Sequence, residues 1–199
     1  MMRIVISGTY GTGKTTLSAR VAAETGMPLV AARGMRDFLR QHFAGKPLHE
    51  CDYLDLIELG VRRFEERVMT EAMHARGFVS DGSSLNEWAY GLGRVKYGLS
   101  LDAQPERWKK QQVLFDQVIR RLGEIFLDHA RSSYDLIVHL PIEFSLDSDG
   151  HRPLMDEYRF FTDARLRDAA ADLPVPVVDA TGSVTERLNA VMRAFPRCL

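Results

Sequence analysis

Apolar residues along this chain come in short β-branched bursts separated by long stretches where they recur every three or four positions. The first burst, Ile4-Val5-Ile6, is ended by Gly8 and predicts a buried strand over Arg3–Ser7. Leu17, Val21 and Ala22 then fall at helical spacing over Thr15–Thr25, and Gly26 is placed to cap that helix. Pro28–Ala32 reads as a second, weaker strand. Gly77–Asp81 reads as a third, ended by Asp81-Gly82-Ser83, and Tyr134–Leu140 as a fourth, ended by Pro141. Val175–Asp179 reads as a fifth, ended by Thr181-Gly182. Between the second and third strands, Ile57, Val61, Phe64 and Val68 share one helical face. Arg62, Arg63, Glu65, Glu66 and Arg67 crowd the other. Between the third and fourth, Trp108, Phe115, Ile119, Leu122 and Phe126 keep a similar stripe. Both stripes predict core-facing sides of helices.

Strands that alternate with helices imply a parallel sheet, because parallel neighbours need a crossover and the helices then cover both faces. The expected architecture is an α/β three-layer sandwich with a five-stranded parallel sheet. Ligands in such sheets gather at the carboxyl ends of the strands, where Gly8, Asp81 and Pro141 fall. The 199 residues show no repeat and no Pro/Gly/Ser-rich linker, so one domain over residues 1–199 is expected.

Composition narrows the function classes. Twenty-six basic residues nearly balance 27 acidic ones, so no global field draws the chain to nucleic acid or an anionic membrane. An anion site must therefore be local. Cys51 and Cys198 make neither a disulfide framework nor a metal-ligand spacing, and Cys51 reads as a small buried side chain rather than a nucleophile. No apolar run approaches the roughly 18 residues of a membrane span, and the cytoplasm is the expected address.

Residues 8–15 read Gly-Thr-Tyr-Gly-Thr-Gly-Lys-Thr, which matches G-x-x-x-x-G-K-[ST] at every fixed position. Gly8, Gly11 and Gly13 let the backbone curl so that successive N–H groups point at phosphate oxygens. Thr9, Tyr10, Thr12 and Thr16 complete the expected nucleotide-binding stretch. The helix that starts near Lys14 aims its positive end at the same anion. Lys14 supplies a point charge for the β- and γ-phosphates, and the Thr15 hydroxyl is placed to ligate magnesium. The expected cofactors are ATP and Mg2+.

The motif leaves open what is done with the phosphate. A mechanical or regulatory ATPase shows an apolar strand ending in an acidic pair, and Leu136–Pro141 offers none. A guanine-specific switch needs Asn/Thr-Lys-x-Asp, which does not occur. The strand ending Val79-Ser80-Asp81-Gly82 does offer a carboxylate. Asp81 can reach magnesium or an acceptor hydroxyl, as metal ligand or base; the alternative is a turn residue or helix cap before Ser83.

With these motifs the chain resembles the small P-loop kinases of nucleosides, nucleotides and related metabolites. It is most similar to nicotinamide riboside kinase domains and the AAA-domain kinase-like ATPases grouped with them. The resemblance rests on Gly8–Thr16, Val79–Ser83, Tyr134–Pro141, Asp149–Arg165 and Asp179–Ser183. It implies a helical lid over about 145–165, with Arg152 and Arg159 covering the transferring group, and a last loop near adenine. Arg152 and Arg159, seven apart, share a face if the segment is helical; Arg165 is placed less well to join them. Positioned cations and exclusion of water on closure would serve phosphoryl transfer. The alternative is a solvated helix whose arginines pair with Asp156, Glu157 and Asp163, with His151 a surface turn residue. Ser183 or Thr181 can equally be a plain helix N-cap. One departure stands out: Val30-Ala31-Ala32-Arg33 keeps the family's Ala-Arg pair but lacks the acid before it. Asp81 is then the stronger base candidate and Asp37 a weak second.

The acceptor pocket is expected over the strand ends, with Arg33, Asp37, Trp88, Tyr90 and Arg94 as substrate-binding residues. Trp88 and Tyr90 can stack a base and Arg94 can hold a phosphate. The competing picture has Trp88 as a half-buried core aromatic and Arg94 as a surface cation. The expected activity is transfer of the γ-phosphate of ATP to a hydroxyl of a nucleoside- or nucleotide-like metabolite. The rival is a nucleotide-binding regulatory ATPase module without an acceptor. Expected partners are the small-molecule acceptor and, as an open alternative, a second copy in a homodimer, with no nucleic acid and no membrane.

Overall fold

A computed structural model describes residues 2–98, 108–145 and 156–195. Arg152, His151, Cys198, most of the expected hinge and the Trp108 side chain lie outside the described residues. Five parallel strands, β1 (Arg3–Ser7), β2 (Leu29–Ala31), β3 (Phe78–Asp81), β4 (Leu136–His139) and β5 (Val177–Asp179), form one sheet in the order β2-β3-β1-β4-β5. In register, Ile6 stands beside Asp81 on one side and Val138 on the other. Each strand was legible as a burst: β1 spans the same residues as its sequence pattern, and the other four are shorter than theirs by one to three residues.

Side chains alternate across the sheet. Ile4, Ile6, Val79, Leu136 and Val138 face helix α1 (Lys14–Thr25), through Leu17 and Val21, and helix α7 (Val184–Ala194), through Val191. Val5, Phe78 and Ile137 face the opposite layer. That layer holds α4 (Ser84–Tyr97), α5 (Trp108–Ser133) and α6 (Asp156–Ala171), which contribute Leu85, Ala89, Ala130 and Leu166. The fold is thus the expected three-layer sandwich. Gly26 caps α1 in the left-handed conformation, and Ser183 caps α7 in a reciprocal pair with Glu186, the plainer of the two expectations for that loop.

The segment between β2 and β3 differs from its sequence reading. It is two helices, α2 (Met35–His42) and α3 (Tyr53–Ala72), with a short 3-10 turn at Leu48–Glu50 between them. On α3 the fully buried positions are Tyr53, Leu59, Arg67 and Glu71, while Val61 is exposed. Arg67 therefore belongs to the buried side and not to the solvated one. The reason is a polar partner supplied by β3, which helical periodicity cannot register. No helix among the described residues is long and apolar enough to cross a membrane.

Candidate active site

The turn after β1 is shaped by glycine. Gly8, Gly11 and Gly13 have φ of 145°, 74° and 91°. A Cβ on Gly8 would sit 2.7 Å from the Leu140 carbonyl oxygen and 2.9 Å from Thr12 Oγ1, so the loop closes tightly on β4. Gly13 precedes α1 without any side-chain cap, and no acid stands in the first turn. The helix end thus keeps its positive potential for an external anion. Lys14 Nζ folds back to donate to the Thr9 carbonyl at 2.7 Å, at the rim of this cradle. Thr9 and Thr12 are buried within the loop, while Thr15 and Thr16 are exposed at the start of α1 and Tyr10 is half-buried.

Asp81 ends β3 on the face that looks toward α1, since it shares that face with Val79. Its Oδ2 accepts a hydrogen bond from Thr15 Oγ1 at 2.7 Å. A hydroxyl and a carboxylate at the mouth of a phosphate cradle are hard oxygen donors of the kind magnesium takes from proteins that bind it with a nucleotide. The glycine-built cradle, the uncapped helix end and this oxygen pair together fit Mg2+ and a polyphosphate.

Helix α4 sorts its residues by face. Asn86, Glu87, Tyr90 and Arg94 lie on one side, and Leu85, Trp88, Ala89 and Leu92 on the other. Asn86 Nδ2 donates to the Gly8 carbonyl at 2.9 Å, and its Oδ1 accepts from the N–H and hydroxyl of Ser83 in the N-terminal cap of the helix. Tyr90 stands 6.2 Å from the Tyr10 ring. Burial pushes the Tyr90 hydroxyl up to about 12, with the Glu87 carboxylate adding to the effect. Glu87 is almost fully buried and takes the Arg63 Nε at 3.0 Å; Arg63 also donates to the Arg33 carbonyl. Tyr158 Oη donates to the Tyr90 carbonyl, and Arg94, 8% exposed, lies 5.4 Å from the Tyr158 ring centre. An aromatic and charged cluster of Tyr10, Glu87, Tyr90 and Arg63 thus adjoins the phosphate loop.

Several expected site residues stand elsewhere. Trp88 packs in the core between α4 and α5, its Nε1 only 2.5 Å from where a Cβ on Gly123 would be. It is one helical position off the loop-facing side, and the core-aromatic alternative is the correct one. Asp37 lies in the first turn of α2, 54% exposed and 3.7 Å from Arg40. Arg33 pairs with Glu66 and Gln41 and covers the Phe38 ring at 4.8 Å. Arg94 is buried, which removes the surface-cation alternative. Arg159 is not solvated. It is 2% exposed, donates to the Phe144 carbonyl at 3.2 and 3.3 Å, and stands 5.8 Å from the Tyr10 ring. Asp156 lies 3.5 Å from it. Asp163 turns instead to His139, with Oδ1 and Nε2 3.2 Å apart but outside hydrogen-bonding geometry. Arg165 pairs with Asp168 at 2.7 Å.

Two further groups escaped the sequence reading. Arg187 of α7, 3% exposed, donates from Nη1 to the Thr12 carbonyl at 2.7 Å and pairs with Glu143. Glu143 in turn accepts the Gly182 N–H at 2.9 Å, so the phosphate loop, the segment after β4 and the last loop are joined. The Gly182 N–H, and after it the Arg187 guanidinium, hold the Glu143 carboxyl below its ordinary range. The second group is Arg67, whose guanidinium lies behind Asp81. The only sequence signal for either is a charged residue on an otherwise amphipathic helix.

Comparison with known proteins agrees with this architecture. No curated protein matches by sequence. Among solved structures, a deoxyadenosine kinase from M. mycoides with bound dATP superposes with a TM-score of 0.66 at 16% identity, covering 98% of each chain. A thymidylate kinase from Ehrlichia chaffeensis gives 0.55 at 17% identity over 97% of each, and one from Candida albicans 0.53 at 12%, over 97% of this chain and 90% of that one. At these identities the likeness is one of fold. The AAA domain family model matches residues 3–187, from the first strand through the arginine that braces the phosphate loop, and the chain belongs to that family.

Proposed function

We propose that this chain is a magnesium- and ATP-dependent phosphotransferase that moves the γ-phosphate to a hydroxyl of a nucleoside or nucleotide. The observation that carries the reading is the 2.7 Å contact of the Thr15 hydroxyl with the Asp81 carboxylate at the mouth of the glycine-built cradle. In this reading the cradle and Lys14 take the polyphosphate, and Thr15 and Asp81 hold magnesium, which neutralises phosphate charge when bound. In the same reading Asp81 orients the acceptor hydroxyl. In this reading the acceptor lies against the cluster of Tyr10, Tyr90, Glu87 and Arg63, with aromatic faces for a base and a buried ion pair for its polar edge. The superposition on deoxyadenosine and thymidylate kinases supports an acceptor of this class. Such an enzyme would work in the cytoplasm, where ATP is made available.

The test is transfer of labelled phosphate from ATP to a panel of nucleosides and nucleotides. At least one compound is expected to gain a single phosphate. Lys14→Ala is expected to abolish turnover, and Asp81→Asn to keep metal-free ATP binding while losing transfer. If no compound raises ATP consumption above the unstimulated rate, the chain is a regulatory ATPase module and the phosphotransferase reading fails.

A further inference from the structure

Ser80 and Asp81 are consecutive on β3 and so look to opposite sides of the sheet. Asp81 meets Thr15 on the α1 side. Ser80, fully buried, looks toward α3, where its hydroxyl accepts from Arg67 Nη1 at 2.9 Å and donates to Glu71 Oε1 at 2.9 Å. The same Nη1 donates to the Gly82 carbonyl at 2.8 Å, with longer contacts of 3.4 Å from both terminal nitrogens to the Asp81 carbonyl. Gly82 has φ 89°, and a Cβ there would lie 3.0 Å from Arg67 Nη2. One planar guanidinium is thus seated against three consecutive residues of the strand end and its turn.

This cation is expensive to bury. Arg67 is 2% exposed, and its nearest carboxylate, Glu71, is 3.9 Å away with the Ser80 hydroxyl bonded to both. Its terminal nitrogens go to the Ser80 hydroxyl and to the main-chain oxygens of Asp81 and Gly82, a use for which the rigid fork of arginine is suited and lysine is not. Glu71 is itself fixed: Oε2 meets His129 Nε2 at 2.8 Å, and Tyr134 Oη approaches Oε1 at 3.4 Å while accepting the Ser84 N–H. An apolar side chain of like volume would fill the space without the desolvation cost. What it would not do is hold the turn after Asp81.

We infer that Arg67 is a positioning residue for Asp81. Its guanidinium fixes the main chain of Ser80–Gly82 from one side of the sheet, so that the Asp81 carboxylate on the other side stays against the Thr15 hydroxyl. Glu71 and His129 hold the guanidinium in place. The inference rests on the role proposed above for Asp81.

The experiment is a double-variant cycle of Arg67→Met and Asp81→Asn in the full chain, with Arg67→Lys alongside. Two readouts are taken: the magnesium concentration that half-saturates ATP binding, and kcat and KM with the best acceptor of the panel. Arg67→Met is expected to lower kcat by about tenfold or more and to raise the magnesium requirement several-fold, with KM for ATP within about twofold, because small misplacement at a reacting centre costs rate before binding. Arg67→Lys is expected to recover part of the loss. In the Asp81→Asn background, Arg67→Met is expected to add nothing further to either readout. Equal losses in both backgrounds, or a folded Arg67→Met protein with wild-type kcat and magnesium dependence, overturn the inference. If Arg67→Met does not melt cooperatively, Arg67→Lys and Ser80→Ala enter the same cycle and are judged by the same criteria. Should the wild-type chain phosphorylate nothing, the phosphotransferase reading fails by itself, and the magnesium readout still decides on Arg67.

Discussion

Thr15 donates to Asp81 across 66 positions of sequence, joining the first turn of α1 to the end of β3 at 2.7 Å. The contact follows from the strand order, which sets β3 directly beside β1.

If this oxygen pair is the magnesium site, Thr15→Ala and Asp81→Asn each weaken the enhancement of ATP binding by magnesium, by about tenfold or more. ATP binding without metal stays nearly unchanged, since the cradle is untouched. Calorimetric titration with and without magnesium measures both quantities. A wild-type magnesium dependence in both variants contradicts the assignment.

Gly8 has no room for a side chain: φ is 145°, and the obstacle to a Cβ is the carbonyl oxygen of Leu140, which is main chain. Gly8→Ala is expected to cost about 1–3 kcal/mol of stability from backbone strain and to abolish nucleotide binding by reshaping the loop. Gly60 in α3 offers the contrast, because a Cβ there meets nothing within 4 Å. Gly60→Ala is expected to stabilise by about 0.5–1 kcal/mol through its better helix propensity. Urea unfolding of the two variants side by side separates a steric effect from a general intolerance of substitution.

Removing the Arg187 guanidinium leaves the Thr12 carbonyl and the Glu143 carboxylate without their cation. Arg187→Met is therefore expected to destabilise by about 2–3 kcal/mol, at the lower end for a broken buried pair because Glu143 is partly solvated. Adding Glu143→Gln is expected to cost less than the sum of the single changes, since both act on one pair. Additive losses in denaturant unfolding count against that coupling.

Asp135 accepts from the Arg3 N–H at 2.8 Å and from Arg3 Nη2 at 2.8 Å, tying β1 to the entry of β4. The Arg3 guanidinium holds its carboxyl below the ordinary range. A carboxylate with a depressed folded value stabilises the fold above its unfolded value of about 3.9, and that contribution is lost as pH falls through the folded value. The wild-type chain is thus expected to lose more stability between about pH 5 and pH 3 than Asp135→Asn does. Melting curves across that window give the comparison, and parallel acid limbs refute it.

What was legible in the sequence was what is local. Strand bursts such as Ile4-Val5-Ile6, the Gly8–Thr15 loop and the carboxylate at Asp81 each declare themselves within a few residues, because one period or one turn fixes them. Arg67, Glu71, Arg187 and Glu143 did not. Each is a charge whose partner lies on another element, and on a helix it is indistinguishable from a solvated residue until that element is in place. Trp88 and Tyr90 show the same limit at finer grain. Both are aromatics two positions apart on α4, yet one enters the core and the other faces the phosphate loop, since that separation turns the helix by more than half a circle.

The seating of Arg67 on Gly82 constrains what evolution can write at that position. With φ at 89° and Nη2 3.0 Å from the point where any side chain would begin, a larger residue after Asp81 is strained and also pushes the guanidinium off its seat. The two sites are coupled: a bulkier neighbour displaces the guanidinium, and its displacement removes the cation beside Glu71. Descendants of this chain are therefore expected to keep both letters or to exchange them together.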